Sequence, residues 1–293
     1  MSDTKIALVV LHYQAMEDTI KCVESIKNKI GIEEYKIIIV DNASPDQSGR
    51  VLQKKYQSDK KIVVILSEEN LGFAKGNNLG YMWAKKHFSP NFIVLSNNDI
   101  VLITDNFYQK IEREYSSFEF GVLGPLILNA DGKFDSNPIT LARVSKKEIL
   151  YQINDAHFHR NLNRYGLLNL YNTASVIKHV LKRKPRKMTN SLEYHEGCTL
   201  HGAFLIFSPL FIRKRDGLNP NTFMYKEEYI LHAEMEKMKM KIVYSPELCV
   251  FHKEDASTDS VVKKTKEKWE FIYSNIIKSS QVLLDVYNQL NLS

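Results

Sequence analysis

Four short, uninterrupted apolar runs decide what this chain can fold into: KIALVVL at 5–11, KIIIV at 36–40, IVVIL at 62–66 and FIVL at 92–95. They are rich in Ile and Val and lack the in–out alternation of a half-exposed strand, which is how strands covered on both faces read. Between them lie stretches with helical spacing: Ile20, Val23, Ile26 and Ile30 mark one face of the first, Val51, Leu52 and Tyr56 one of the second, and Leu79, Met82, Trp83 and Lys86 run through the third. Strand and helix alternating in this way imply a doubly wound α/β layer with parallel strands. Ligands of such sheets bind outside the carboxyl ends of the strands. There the sequence reads His12-Tyr13, Asp41-Asn42-Ala43-Ser44, Glu69-Asn70 and Asn97-Asn98-Asp99. All four ends are polar, and three carry carboxylates or amides that a strand does not need for its own stability. Any one of these Asp or Asn residues would also serve as a turn or helix cap.

The rest of the chain narrows the class. With 293 residues, 44% apolar and 25% charged, it can build a substantial globular core. The first strand is followed by HYQAMED, not by the glycine-rich turn of a dinucleotide site. The apolar run at 6–11 has no basic leader and is too short to span a bilayer, so a buried strand in a cytoplasmic protein is expected. Cys22, Cys198 and Cys249 are too dispersed for a disulfide framework or a zinc cluster.

From about 131 to 196 strand signals thin out and the text turns polar and helix-like, as an insertion would. Strand character resumes in CTLHGAFLIFS at 198–208, followed by the turn RDGLNPN, an amphipathic helix from about 225, a strand at 241–244 and another ending at CVFH. In the tail, from about 262 to 290, Trp269, Ile272, Tyr273, Ile276, Leu283, Leu284 and Tyr287 fall near helical spacing. That face is expected to pack on the body or, in a homodimer, on a second copy of the chain. The net charge is +6, and the run KHVLKRKPRK at 178–187 alone holds six Lys or Arg and no acid. It reads either as a solvated face or as a contact with phosphate or with the anionic inner face of a membrane.

Five segments add up to more than a fold: VDNASPD (40–46), NLGFAKGNNLG (70–80), LSNNDI (95–100), GLNPNTFMYKEEYIL (217–231) and YSPELCVFH (244–252). In this order and at these spacings the chain resembles the family 2 glycosyltransferases, inverting sugar-nucleotide enzymes. The likeness is closest to the rhamnosyl- and capsule-type members of bacterial surface polysaccharide pathways. The resemblance covers about 1–130 and 197–255. It implies a GT-A, Rossmann-like fold: a mixed, mostly parallel sheet flanked by helices, with a helical insertion and a C-terminal helical tail. On that reading 1–255 is the glycosyltransferase domain, made of a nucleotide-sugar half (about 1–130), a basic insertion (about 131–196) and an acceptor and catalytic half (about 197–255). The tail is 256–293.

Moving a sugar from a nucleotide diphosphate to a hydroxyl needs a grip on the nucleotide, a cation for the departing diphosphate and a base for the acceptor proton. The resemblance gives Asp41 the pyrimidine N–H or a ribose hydroxyl, and His12 and Tyr13 lie where a ring edge could flank the base. Gly72 and Gly76 permit close approaches, Asn70 and Asn78 offer amides, and Lys75 could reach a phosphate, whereas Gly80 is read as belonging merely to the start of the helix that begins near Ala74.

The family's Asp-x-Asp metal motif falls on Asn97-Asn98-Asp99. A neutral amide is a weak ligand for a hard cation, so Asp99 is expected to bind Mn²⁺ or Mg²⁺, with Asn97 and Asn98 on the nucleotide side and His252 as second ligand. MYKEEYIL matches the segment that supplies the base; Glu228 takes the base's place and Glu227 is the alternative. His201 and Gly202 open the strand that floors the acceptor site. Three positions depart from the family pattern: Ile230 for an acid, Glu234 for an arginine, and no glycine near 239–240.

The expected reaction is a single in-line displacement from a UDP- or dTDP-sugar to a glycan or a polyprenyl-diphosphate-linked acceptor. A sugar-1-phosphate nucleotidyltransferase is the rival within enzymes, but HYQAMED lacks its arginine-containing glycine loop. A nucleic-acid or membrane-binding module built on 178–187 would leave the whole α/β body unexplained, and no nucleic-acid partner is expected.

Overall fold

The computed structural model describes residues 4–129, 137–168, 170–171, 192–253 and 265–292. The four apolar runs form parallel strands β1 (Ile6–His12), β2 (Tyr35–Asp41), β3 (Ile62–Leu66) and β4 (Phe92–Asn97), linked by helices α1 (Met16–Lys29), α2 (Ser48–Tyr56) and α3 (Gly72–Phe88). The chain continues through β5 (Ile100–Leu102), α4 (Phe107–Phe118), β6 (Val122–Leu128), α5 (Lys146–Arg164), β7 (His195–Glu196), β8 (Phe204–Phe207), α6 (Pro209–Lys214), α7 (Glu227–Met238), β9 (Ile242–His252) and α8 (Lys266–Gln289). The described strands form a single sheet in the order β3-β2-β1-β4-β8-β6-β9-β5, with β7 on β9.

Burial on both faces follows from the strand sequences. Along β1, Ile6, Leu8 and Val10 face the cluster that holds Cys22, Val23 and Ile26 of α1, Leu52 of α2 and Phe107 of α4. Ala7 and Val9 face the opposite cluster, with Ala74 and Tyr81 of α3, Phe211 of α6 and Met235 of α7. Each fully buried Val or Ile contributes about 1.5–3 kcal/mol, so a strand hidden on both sides cannot alternate. Gly80 lets α3 lie close on the sheet, because a Cβ there would meet Val9 and Val40; it is a packing position in the middle of α3, not part of the helix start.

A third cluster lies outside the sheet. Val144, Ile149 of α5, Ile230 and Ala233 of α7, and Leu283, Val286 and Tyr287 of α8 pack together. Helix α5 starts on a capping box between Ser145 and Glu148. The face of the tail helix that holds Leu283 and Tyr287 is therefore covered by the same chain, not by a second copy. The basic run 178–187 lies outside the described residues.

Three boundaries differ from the sequence reading. Only Phe204–Phe207 of 198–208 is a strand. The two strands expected at 241–252 are one, β9, whose pairing with β6 shifts register between Pro125 and Leu126. And β6 itself is hidden in the sequence by the Gly124-Pro125 pair, which reads as a turn. The proline is accommodated because β8 pairs with β6 only at Val122 and Leu123, so at Pro125 that side of the ladder needs no N–H.

Candidate active site

The register of the sheet assembles the first part of the site. His12 lies opposite Asp41, and Leu11 opposite Asn97, so the polar ends of β2 and β4 flank that of β1 at the strand spacing of about 4.8 Å. A hydrogen-bonded chain runs from Ser48 through His12 and Thr19 to Asn98, and Asp41 lies beside it. His12 Nε2 stands 3.9 Å from Asp41 Oδ1 and 2.8 Å from Ser48 Oγ; His12 Nδ1 is 2.6 Å from Thr19 Oγ1, which also accepts from Asn98 Nδ2 at 3.0 Å. The Asp41 carboxylate rests on the first turn of α2, where a Cβ at Gly49 would collide with it and where the helix dipole favours a negative charge.

His12 is fully buried with both ring nitrogens engaged, and burial lowers its pKa in spite of Asp41. As a neutral imidazole it therefore ties α1 to α2 through Thr19 and Ser48 and offers no edge to a base; Tyr13 beside it is exposed.

Two further residues are placed differently from the sequence reading. The carboxamide of Asn78 clamps the backbone of Leu218, donating to its oxygen and accepting from its N–H, both at 2.8 Å, so Asn78 joins the two halves of the fold instead of reaching a nucleotide. Lys75 is exposed on α3 and lines a separate cleft with Asp216, Gly217 and Leu218, away from Asp99. Asn70 supports the loop before α3: its Oδ1 accepts from Asn42 Nδ2 at 3.0 Å and from the Gly72 N–H at 2.9 Å. Gly72 has φ +75, and a Cβ there would strike the carbonyl of Phe223, so this loop closes against the segment that leads to α7.

That segment forms the second part. A cleft of about 370 Å³ is lined by Asn97, His201, Gly202, Glu227, Glu228 and the apolar side chains of Phe73 and Ile276, among others. Gly202 makes room for Glu228, since a Cβ there would lie 2.8 Å from Glu228 Oε1. Burial raises the carboxyl pKa of both glutamates. For Glu227 desolvation, reinforced by the charge of Glu228, pushes it up to about 8; for Glu228 desolvation again leads, partly offset by backbone N–H groups including that of Gly202. Glu227 Oε1 is buried without a well-formed hydrogen bond, the Thr222 hydroxyl being a weak neighbour. At neutral pH Glu227 therefore holds a proton, which spares Glu228 a second adjacent charge.

The loop that presents these carboxylates is strained and propped. Tyr225 and Lys226 both have positive φ, at 74 and 69, a conformation that costs about 1–3 kcal/mol per non-glycine residue. Ser279 of α8 donates to the Met224 carbonyl at 2.7 Å, and Lys226 Nζ donates to Gln152 Oε1 of α5 at 2.7 Å. Sequence reasoning missed Thr19, Ser48, Gly49, Gln152, Ile276 and Ser279. The glycine and the hydroxyls act through long-range partners that no spacing encodes, and Ile276 reads as one more apolar residue of the tail.

The departures in α7 have local causes. Ile230 is buried against α8, Glu234 binds Arg215 at 2.6 Å and Asn219 at 3.0 Å, and Lys239 takes the left-handed C-cap position, φ 53, that glycine usually fills.

The third part is the pair Asp99 and His252, with His252 Nε2 3.2 Å from Asp99 Oδ1 and the His201 and His252 rings 5.8 Å apart. Pairing of Ile100 with His252 across β5 and β9 sets this approach. Two ligands on neighbouring octahedral positions at bonds of about 2.1 Å stand about 3 Å apart, so the pair fits a divalent cation. Among the described residues no group of three or more His, Cys, Asp or Glu could hold a metal; a cation here would complete its shell with oxygens from substrate and water. A larger cavity, about 640 Å³, is lined by the other side of α7, and four of its five charged side chains are paired, Arg143–Glu236 at 2.7 Å and Lys241–Glu196 at 3.7 Å.

An α/β sheet of this order, with polar strand ends facing a carboxylate-bearing helix, is the GT-A architecture. The model of glycosyl transferase family 2 matches residues 8–179, more than half of the chain, and the chain belongs to that family: it is a glycosyltransferase. "Glycosyltransferase GlyG" of Streptococcus pneumoniae serotype 4 is 21% identical over 229 residues, 75% of this chain and 70% of the relative. "Teichoic acid poly(glycerol phosphate) polymerase" of Staphylococcus epidermidis is 31% identical over 96 residues, 32% of this chain and 13% of the polymerase. Among solved structures, GalNAc-T7 with UDP, GalNAc and Mn²⁺ superposes with a TM-score of 0.60 at 11% identity, covering 99% of this chain and 55% of that one, a likeness of fold.

Proposed function

We propose that the chain transfers a sugar, with inversion, from a UDP- or dTDP-linked donor to a hydroxyl of a glycan or lipid-linked acceptor in bacterial surface polysaccharide synthesis, on the cytoplasmic side of the membrane. The observation that carries this reading is the placement of Glu228 against Gly202 in the cleft that also holds Asn97. Asp41 and the loop after β3 would hold the nucleotide. Asp99 and His252 would hold Mn²⁺ or Mg²⁺, which when bound would supply positive charge for the departing diphosphate.

Glu228 accepts the proton of the acceptor hydroxyl as that oxygen forms its bond to the anomeric carbon; the bond to the diphosphate breaks on the opposite side, and the electron pair leaves with the diphosphate. One displacement inverts the centre. Desolvation suits Glu228 to this work, because a carboxylate with a raised pKa is a stronger base than one in water. A thermal-shift panel of UDP-, dTDP- and GDP-sugars, each with Mn²⁺ and with chelator, tests the reading. Stabilisation by one donor class that needs the metal is expected; no response to any nucleotide sugar would overturn it.

A further inference from the structure

The surface of the insertion is unlike the rest of the molecule. Ten of the sixteen exposed large apolar side chains among the described residues fall between Leu141 and Tyr194. The pattern is sharpest on α5. Ile149, Ala156 and Asn163, seven residues apart, are buried, while Tyr151, Phe158 and Tyr165, also seven apart, are 70%, 49% and 80% exposed. Seven residues are two turns, so each set is a line along the helix, and 100° per residue puts the two lines on opposite faces. The inner line faces the body of the protein; the outer is a ridge of three aromatic rings, with the exposed side chains of Lys147, Glu148, Leu150 and Asp155 beside it. Tyr171 packs on Phe158 with ring centroids 5.4 Å apart and extends the ridge.

We propose that this outer face of α5 docks on the surface of an anionic lipid bilayer. Three arguments select that partner over a second copy of the chain. Two of the three rings are tyrosines, whose apolar body and hydroxyl suit the headgroup boundary of a membrane. The rings expose about 400 Å² in all, given 150–250 Å² for each aromatic side chain, which is about half of the roughly 800 Å² per partner that a stable protein interface buries. And the chain that follows Tyr171 runs into Lys178–Lys187, with six basic residues and no acid, a charge that complements anionic headgroups at about 1 kcal/mol per Lys or Arg near the surface. No described helix is long and apolar enough to cross a membrane, so contact of the described part is by lying on the surface.

The arrangement bears on the cleft. Gln152 of the same helix holds Lys226 at the start of α7, so one helix thickness, about 10 Å, separates the ridge from the carboxylate loop. A docked α5 would keep that cleft within reach of an acceptor standing in the membrane.

Co-sedimentation of the full chain with vesicles tests this independently of donor or acceptor identity. The wild type should pellet with vesicles of phosphatidylglycerol and phosphatidylcholine, not with phosphatidylcholine alone, and should be released by high salt. Replacing Tyr151, Phe158 and Tyr165 by Ser should lower the partition coefficient at least about tenfold while leaving the melting temperature and any donor-induced shift unchanged. Should the triple variant fail to fold, Tyr165→Ser alone should weaken binding measurably, and Phe158→Trp should show a blue-shifted emission when anionic vesicles are added. Unchanged sedimentation of the triple or the single variant, no binding by the wild type, or a dimer that the triple substitution dissolves in the absence of any vesicle binding would overturn the proposal.

Discussion

The two halves of the site use their polar residues in opposite ways. Around the ends of β1 to β4, where the nucleotide is proposed to bind, His12, Asn42, Asn70, Asn78 and Asn98 are engaged with hydroxyls, with one another or with backbone groups, and Asp41 rests on the start of α2. In the cleft proposed to take the acceptor, Glu227 and Glu228 are desolvated with pKa values pushed up, on a loop with two left-handed residues held by α5 and α8. The first half is architecture that satisfies itself. The second keeps two adjacent carboxyls desolvated and leaves Glu227 Oε1 without a well-formed hydrogen bond, an arrangement that suits groups proposed to react.

The largest effect expected from this contrast is on turnover. Glu228→Gln should lower kcat by about 10²–10⁴-fold, the range of a lost general base, with donor affinity intact in a binding titration; if Glu227→Gln were the more damaging, the base would be Glu227. Next is a pH effect. A carboxyl near pKa 8 in the folded state and near the ordinary value when unfolded binds its proton more tightly when folded, so Glu227 costs stability progressively as pH rises from about 4.5 to about 8. Glu227→Gln removes that cost, on the order of a few kcal/mol, and should melt higher than wild type above pH 8, with the difference shrinking toward pH 5.

Asn78→Ala sharpens the comparison from the other side. It strands two buried backbone groups of Leu218 and should lower unfolding stability by about 2–3 kcal/mol, with kcat of the folded fraction unaltered; a selective loss of donor binding would put Asn78 back at the nucleotide. The smallest effect is expected from Ile276→Ala at the wall of the cleft: a few-fold change in the acceptor KM, about 1 kcal/mol, with the donor KM unmoved.

Much of the donor half was legible in the sequence because periodicity and strand-end chemistry are local. The runs at 5–11, 36–40, 62–66 and 92–95 became β1 to β4 in register, and Asp41, Asn97 and Asp99 lie at their ends. What local reading could not show is which way an amide turns. Asn78 and Asn70 look alike in NLGFAKGNNLG, but Asn78 faces Leu218, 140 residues away. Nor could it find β6 behind its Gly-Pro pair, or separate a proton-bearing Glu227 from its neighbour, since that difference arises from depth and not from sequence position.

Helix α8 contributes Ile276 to the cleft and Ser279 to the strained turn before α7, and it does so from 55 residues beyond the Met224 carbonyl that Ser279 holds. One wall of the cleft can therefore change shape through substitutions in α8 while the ends of β1 to β4 stay untouched. On the proposed function, exchanging α8 between sister enzymes should alter which acceptor is used.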